Sequence, residues 1–273
     1  MIAFPNCKIN LGLSIVAKRP DGFHELETVF YPVGLKDMVE VIHSDDKKTP
    51  IQFTSTGLSI PGDSNNNLCV KAYELLKKDY PALPNIKIHL HKKIPMGAGL
   101  GGGSSDATAV LTLLNSQFYL ALSKEQLINY AAQLGSDCAF FVYETACHAK
   151  GRGEILQPIH CDLSNYTIVL IHPGIHVSTA WAFGQLNPHS KHKSIAEIIT
   201  DPIETWKAQL INDFEAPIFD AHPALAKIKA ELYQQGAIYA SMSGSGSSLF
   251  GIFDKAQSFS KNKFEDQFNI DII

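Results

Sequence analysis

Apolar and small or polar residues alternate from Ile9 to Val16, the period of a strand with one buried face, and Arg19-Pro20-Asp21-Gly22 then supplies turn chemistry. Leu26 to Val33 and Met38 to Ile42 read as further strands. The polar run Ser64-Asn65-Asn66-Asn67 suits a loop and cap before an amphipathic helix carrying Ala72, Leu75 and Leu76, and Pro81 and Pro84 end that region. From Asn85 to Ile94 alternation returns, with Ile86, Ile88 and Leu90 set against Lys87, His89 and His91, which predicts a strand with one wet face.

A glycine-rich loop follows that strand directly. Beyond it, Ser105 to Leu114 has the composition of a buried helix, and Ser123 with Gln126 forms a capping-box signature for another helix that stops at Gly135. Tyr166 to Ile171, a short apolar strand running into His172-Pro173-Gly174, opens a second half. Pro188 to Ser194 reads as a surface loop in which His189 and His192 are solvated. Ala224, Leu225, Ile228 and Leu232 mark a helix closed by Gly236, before Ser243-Gly244-Ser245-Gly246 and the apolar strand Leu249 to Phe253.

With 273 residues, two packed halves are expected, and 45% hydrophobic with 18% charged residues places the chain among folded globular proteins. A net charge of −4 gives no broad attraction to nucleic acid or anionic lipid, so a small-molecule partner is favoured. The cysteines, Cys7, Cys69, Cys138, Cys147 and Cys161, are scattered and odd in number, which argues for structural thiols over disulfides or a zinc site. Met1 to Lys8 lacks a signal-peptide pattern and no apolar run is long enough to span a bilayer, so the expected location is cytoplasmic.

Pro95-Met96-Gly97-Ala98-Gly99-Leu100-Gly101-Gly102-Gly103-Ser104-Ser105 places five glycines between a strand and a helix, where backbone amides can turn inward unobstructed by Cβ atoms. Such amides and the positive end of the following helix dipole stabilise phosphate oxygens, and Ser104 or Ser105 could add a hydroxyl or a magnesium ligand. A flexible linker is the bland alternative, but linkers do not sit tightly between an alternating strand and an apolar helix. Gly97, Gly99 and Gly102 also fit the dinucleotide fingerprint. The preceding strand alternates, however, and no acidic residue ends a second strand about twenty residues on. No Lys precedes Ser104, so the Walker A pattern fails.

Lys8-Ile9-Asn10-Leu11, the glycine loop and Met242-Ser243-Gly244-Ser245-Gly246 resemble, in order, the three motifs of the galactokinase, homoserine kinase, mevalonate kinase and phosphomevalonate kinase (GHMP) superfamily. Arg19-Pro20-Asp21-Gly22-Phe23-His24, Leu134-Gly135-Ser136-Asp137 and Asn212-Asp213-Phe214-Glu215 resemble those members that phosphorylate a cytidine-diphosphate-linked methylerythritol in non-mevalonate isoprenoid synthesis. The resemblance implies an α+β, two-domain GHMP kinase fold. Its N-terminal ATP-binding domain, residues 1–155, contains a left-handed βαβ unit, and its C-terminal domain, residues 156–273, is ferredoxin-like.

It also implies ATP and Mg2+ as reaction partners, a small cytidine diphosphate substrate, no nucleic acid or membrane partner, and a monomer or weak homodimer. Within it, Pro95 to Ser105 holds ATP, and Lys8 and Asp137 form the catalytic pair. Asn10, Phe23, His24, Phe183, Gly244 and Ser245 bind substrate, with Phe23 and Phe183 sandwiching cytosine and His24 hydrogen-bonding it. The family usually has Tyr at Phe23 and Ala at Cys7. Judged alone, Lys8 reads as a solvated strand lysine, Asp137 as a helix cap, Phe23 as core, His24 as structural, and Gly244 with Gly246 as an ordinary turn. Homoserine kinase or another GHMP small-molecule kinase is the nearest alternative, and a regulatory relative that has lost its chemistry is another.

Overall fold

Val39 and Val41 on one strand and Ile86, Ile88 and Leu90 on the next have almost no exposed surface, whereas Lys87 and His91 between them are exposed, as alternation dictates. These strands, Met38–His43 and Ile86–Lys92, pair antiparallel in a four-stranded sheet. Ile2–Ala3 adds to the Met38 strand, and Ile51–Gly57 pairs parallel with Ile86–Lys92. A parallel neighbour needs a crossover, and the helix Leu68–Asp79 supplies it, completing a βαβ unit. Asn67 caps that helix through Oδ1, which accepts from Cys69 N at 2.9 Å. Helices Gly102–Gln117 and Lys124–Leu134 pack with it, the latter opened by the expected Ser123/Gln126 capping box.

The computed structural model describes residues 1–186, 188, 193–264 and 268–273, and the expected solvated pair His189 and His192 lies outside them. The chain forms two compact units, one from Met1–Cys7, Gly34–Met96 and Gly101–Glu144, the other from Lys8–Val33, Gly97–Leu100 and Thr145–Ile273. No helix among the described residues is long and apolar enough to cross a membrane.

A second sheet runs in the order Asn6–Lys18, His24–Lys36, Cys147–Lys150, Ile155–Pro158. A third has the order Tyr239–Met242, Leu249–Asp254, Tyr166–His172, Asn269–Ile272, all antiparallel, which is the order of a ferredoxin-like sheet. Helix Pro223–Gln234 buries Leu225, Ile228 and Leu232 in one core with Val169, Ile171, Leu249 and Phe253. Ile171, wholly buried, stands opposite both Leu249 and Ile270. Ile171→Ala should therefore destabilise the protein by about 2–5 kcal/mol, read as a lower denaturant midpoint at unchanged slope.

Candidate active site

The glycines of the loop have different physical causes. Gly97, Gly99 and Gly101 all have positive φ, at 62°, 77° and 69°. A Cβ on Gly99 would lie 2.0 Å from the carbonyl oxygen of Ser243, so the backbone comes closer there than any side chain allows. At Gly102 a Cβ would meet Ile94 Cγ2 at 2.8 Å and Lys92 Nζ at 2.9 Å. Gly97 and Gly103, by contrast, face open space, with only Leu68 Cδ1 at 4.0 Å from the latter. The first backbone bond of the following helix runs from Ser105 N to Gly101 O, which leaves the amides of Gly102, Gly103 and Ser104 without helical acceptors. Open backbone and unused amides are what an anion needs.

The first half of the loop is fastened by the third motif. Ser243 Oγ donates to Gly99 O at 2.8 Å, Ser248 N donates to Ala98 O at 3.2 Å, and Lys8 N donates to Leu100 O at 2.9 Å. Asn10 N in turn donates to Ser243 Oγ at 3.3 Å. The motif is itself braced by the segment Asn212 to Glu215. Asn212 Nδ2 donates to Met242 O and Gly244 O, both at 2.8 Å, and Glu215 Oε1 accepts from Met242 N at 2.8 Å and Ser241 Oγ at 3.1 Å. Asp213 accepts from Ile15 N at 2.8 Å, tying the same segment to the Asn6–Lys18 strand. These bracing roles were not read from the sequence, although three polar side chains around a buried Phe214 are the signal that could have shown them.

Lys8, which strand pattern alone would have placed in solvent, is 3% exposed. Its ammonium donates to Asn10 Oδ1 at 2.6 Å and stands 4.8 Å from the centre of the Phe30 ring. Asn10 Nδ2 donates to Thr28 Oγ1 at 3.0 Å, and that hydroxyl donates to Gly12 O at 2.5 Å, so the lysine belongs to a buried hydrogen-bonded chain. Cys7 beside it has no exposed surface. Asp137 is half-buried on the segment after Gly135, which Thr108 holds against the helix Gly102–Gln117: its hydroxyl donates to Ser104 O and Cys138 O, both at 2.9 Å. Burial pushes the neighbouring Cys138 thiol up to about 11, so it is a packing group and not a nucleophile.

The turn Arg19 to Gly22 presents the expected base-reading residues. Phe23 N donates to Asp21 Oδ1 at 3.1 Å and Arg19 N to Phe23 O at 2.8 Å. His24 stacks on Phe183 with ring centres 5.1 Å apart, and Phe183 meets Phe214 edge-on at 4.9 Å. Phe23 is 53% exposed and lies under the Arg152 guanidinium at 4.9 Å, a neighbour that sequence reasoning missed. Ser245 Oγ is 3.0 Å from Thr179 Oγ1.

Within the first unit, a cleft of about 350 Å³ opens beside Met96 and Gly103, with Phe53, Leu68 and Leu90 among its apolar walls. At its floor Lys92 pairs with Asp37 and, at 2.7 Å, with Asp106 Oδ2, all three side chains being sealed from solvent. Burial would lower the pKa of Lys92, but Asp106 and Asp37 together outweigh it and raise the pKa. Burial pushes the Asp106 carboxyl from 3.8 up to about 7 against the pull of Lys92, and the charge of Asp37 adds to the rise. This triad also escaped the sequence reading, although Lys92 falls in register with the buried Ile86, Ile88 and Leu90.

The profile described as "GHMP kinases N terminal domain" matches residues 67–145, and "GHMP kinases C terminal" matches residues 190–266. The chain is 54% identical over 254 residues to the 4-diphosphocytidyl-2-C-methyl-D-erythritol kinase of Bacteroides thetaiotaomicron, covering 93% of this chain and 92% of that one. The crystal structure of a 4-(cytidine 5'-diphospho)-2C-methyl-D-erythritol kinase superposes with a TM-score of 0.80 at 30% identity, covering 92% of this chain and 90% of that one. A homoserine kinase from Cytophaga hutchinsonii shares the fold at TM-score 0.68 and 18% identity, over 98% and 93% of the two chains.

Two outcomes follow from the geometry. Asn212→Ala leaves the carbonyls of Met242 and Gly244 without their donor, and should cost about 1–3 kcal/mol in denaturant unfolding. Because the folded chain holds the Asp106 proton more tightly than the unfolded chain does, this group's contribution to stability declines as pH rises from 3.8 to about 7. The melting temperature of Asp106→Asn minus that of wild type should therefore rise between about pH 5 and about pH 7.5, whereas a constant difference would contradict the buried charge.

Proposed function

We infer the activity from membership: this chain belongs to the GHMP kinases and, among them, to the 4-diphosphocytidyl-2-C-methyl-D-erythritol kinases. It is an ATP-dependent small-molecule kinase that phosphorylates the 2-hydroxyl of 4-diphosphocytidyl-2-C-methyl-D-erythritol, giving the 2-phosphate and ADP, in the non-mevalonate route to isoprenoid precursors. The observation that carries this reading is 54% identity over 93% of the chain to a relative bearing that name.

Phosphoryl transfer needs in-line positioning and stabilisation of charge on the moving group. We assign the phosphates of ATP to the loop Pro95 to Ser105, and its base to the cleft beside Met96 and Gly103. Asp137 accepts the proton of the 2-hydroxyl as the bond to phosphorus forms, and the Lys8 ammonium stabilises the emerging alkoxide and the phosphoryl group. Asn10 fixes the direction of that ammonium through its 2.6 Å bond. The oxygen donors Ser104 and Ser105 in the first helical turn suit a hard cation, and Mg2+ would neutralise phosphate charge there. Phe23, His24 and Phe183 read the cytosine by stacking and hydrogen bonding, with Gly244 and Ser245 lining the substrate site. We place the enzyme in the cytoplasm, as a monomer or weak homodimer without nucleic acid or membrane partners.

Incubating the protein with ATP and magnesium beside the cytidine diphosphate substrate, homoserine or mevalonate should release ADP with the first alone; turnover of homoserine alone would sink the assignment. Lys8→Ala and Asp137→Asn should fold normally and lose kcat by about 10²-fold or more, and a wild-type rate in either variant refutes its role.

A further inference from the structure

Phe23 N donates to Asp21 Oδ1 and Phe23 O accepts from Arg19 N, so the turn pins the backbone of this residue. Its ring is not pinned in that way. It is 53% exposed and carries no hydroxyl, so contacts on its faces and edges must decide its orientation. Phe183, the other aromatic residue assigned to cytosine, has two such contacts: His24 stacked at 5.1 Å and Phe214 edge-on at 4.9 Å. On Phe23 that place is taken by the Arg152 guanidinium, 4.9 Å from the ring centre.

The turn that carries Arg152 is built to deliver it there. Gly151 and Gly153 have positive φ, at 71° and 107°, and Gly153 N donates to Lys150 O at 3.1 Å. Glu25 ties this turn to the one before Phe23, its Oε1 accepting from Gly151 N at 3.0 Å and its Oε2 from Arg19 Nη1 at 2.9 Å. Leu26 N donates to Gly151 O at 2.7 Å. Arg19 is thereby committed to carboxylates, since Asp21 also takes its Nε at 3.1 Å. Arg152 is held more loosely by its acid: Nε stands 3.6 Å from Glu154 Oε1, an ion pair beyond hydrogen-bond range, and the guanidinium lies over the ring instead.

We propose that Arg152 is a positioning residue for the base: its guanidinium covers one face of Phe23 and fixes the ring, so that cytosine stacks on the opposite face. This deepens the kinase reading and rests on its assignment of Phe23 to cytosine. A ring held before the ligand arrives loses little freedom on binding, so the contribution falls on affinity and not on the chemical step.

The test is calorimetric binding of the cytidine diphosphate substrate to wild type, Arg152→Met, Arg152→Lys, Phe23→Leu and the double variant carrying Phe23→Leu and Arg152→Met, with kcat measured at saturating substrate. Phe23 and the Arg152 side chain are 53% and 43% exposed, so none of these changes empties a core. Arg152→Met keeps an unbranched apolar stem and removes the cation; it should weaken binding about three- to tenfold, with kcat within about twofold. Arg152→Lys, which can still place a cation over the ring, should bind more tightly than Arg152→Met. On the Phe23→Leu background the Arg152→Met change should add nothing, because the ring through which it acts is gone. Wild-type affinity in Arg152→Met overturns the proposal, and so does a Lys variant no better than the Met variant. An undiminished loss on the Phe23→Leu background overturns it too, because the guanidinium would then act on the substrate directly. Weakened binding in Phe23→Leu beside wild-type affinity in Arg152→Met keeps the cytosine assignment and removes the proposal alone, whereas wild-type affinity in Phe23→Leu removes both.

Discussion

The backbone of the glycine loop runs so close to Ser243 that only a glycine fits at position 99. That approach organises much of the site. It lets Ser243 Oγ bond Gly99 O while accepting from Asn10 N, so one hydroxyl links the loop, the Lys8 strand and the third motif. Asn212 and Glu215 then hold the third motif from behind by its backbone, and Asp213 holds the Asn6–Lys18 strand. Segments far apart in sequence are fixed through backbone amides and carbonyls, which positions Lys8 on rigid strand structure and leaves the open face at Gly97 free of side chains.

Charge burial is the second constraint. Lys8 is buried against Asn10 and a ring face, while Lys92 is buried against two carboxylates. The first arrangement fixes the direction of a buried ammonium through Asn10, a form suited to stabilising transferred negative charge. The second holds the loop-helix junction, since Gly102 exists without a side chain because Lys92 and Ile94 stand there. One glycine of the loop thus answers to a buried ion pair and another to Ser243, and neither reason concerns phosphate directly.

Elements with strong periodicity were legible in the sequence: the Asn6–Lys18 and Ile86–Lys92 strands, the capped helix at Ser123, and the helix ending near Gly236. Ile51–Gly57 was not, because it lies half or fully exposed and contains polar β-branched residues without alternation, and Tyr239–Met242 was not because all four of its residues are buried and no alternation survives. The loop could be recognised by composition, yet the cause of each glycine could not, since Ser243 and Lys92 reach it only through the fold. Lys92 repeats the period of Ile86, Ile88 and Leu90 and could have been read as buried; its partner Asp37 stands 55 residues away and could not. Arg152 above Phe23 is likewise invisible to any local pattern.

A crystal structure with a non-hydrolysable ATP analogue and the cytidine diphosphate substrate tests the account most directly. It should show the phosphates on the amides of the Gly97 to Ser105 loop and the base in the cleft above Asp106. Phosphates bound away from that loop would contradict it.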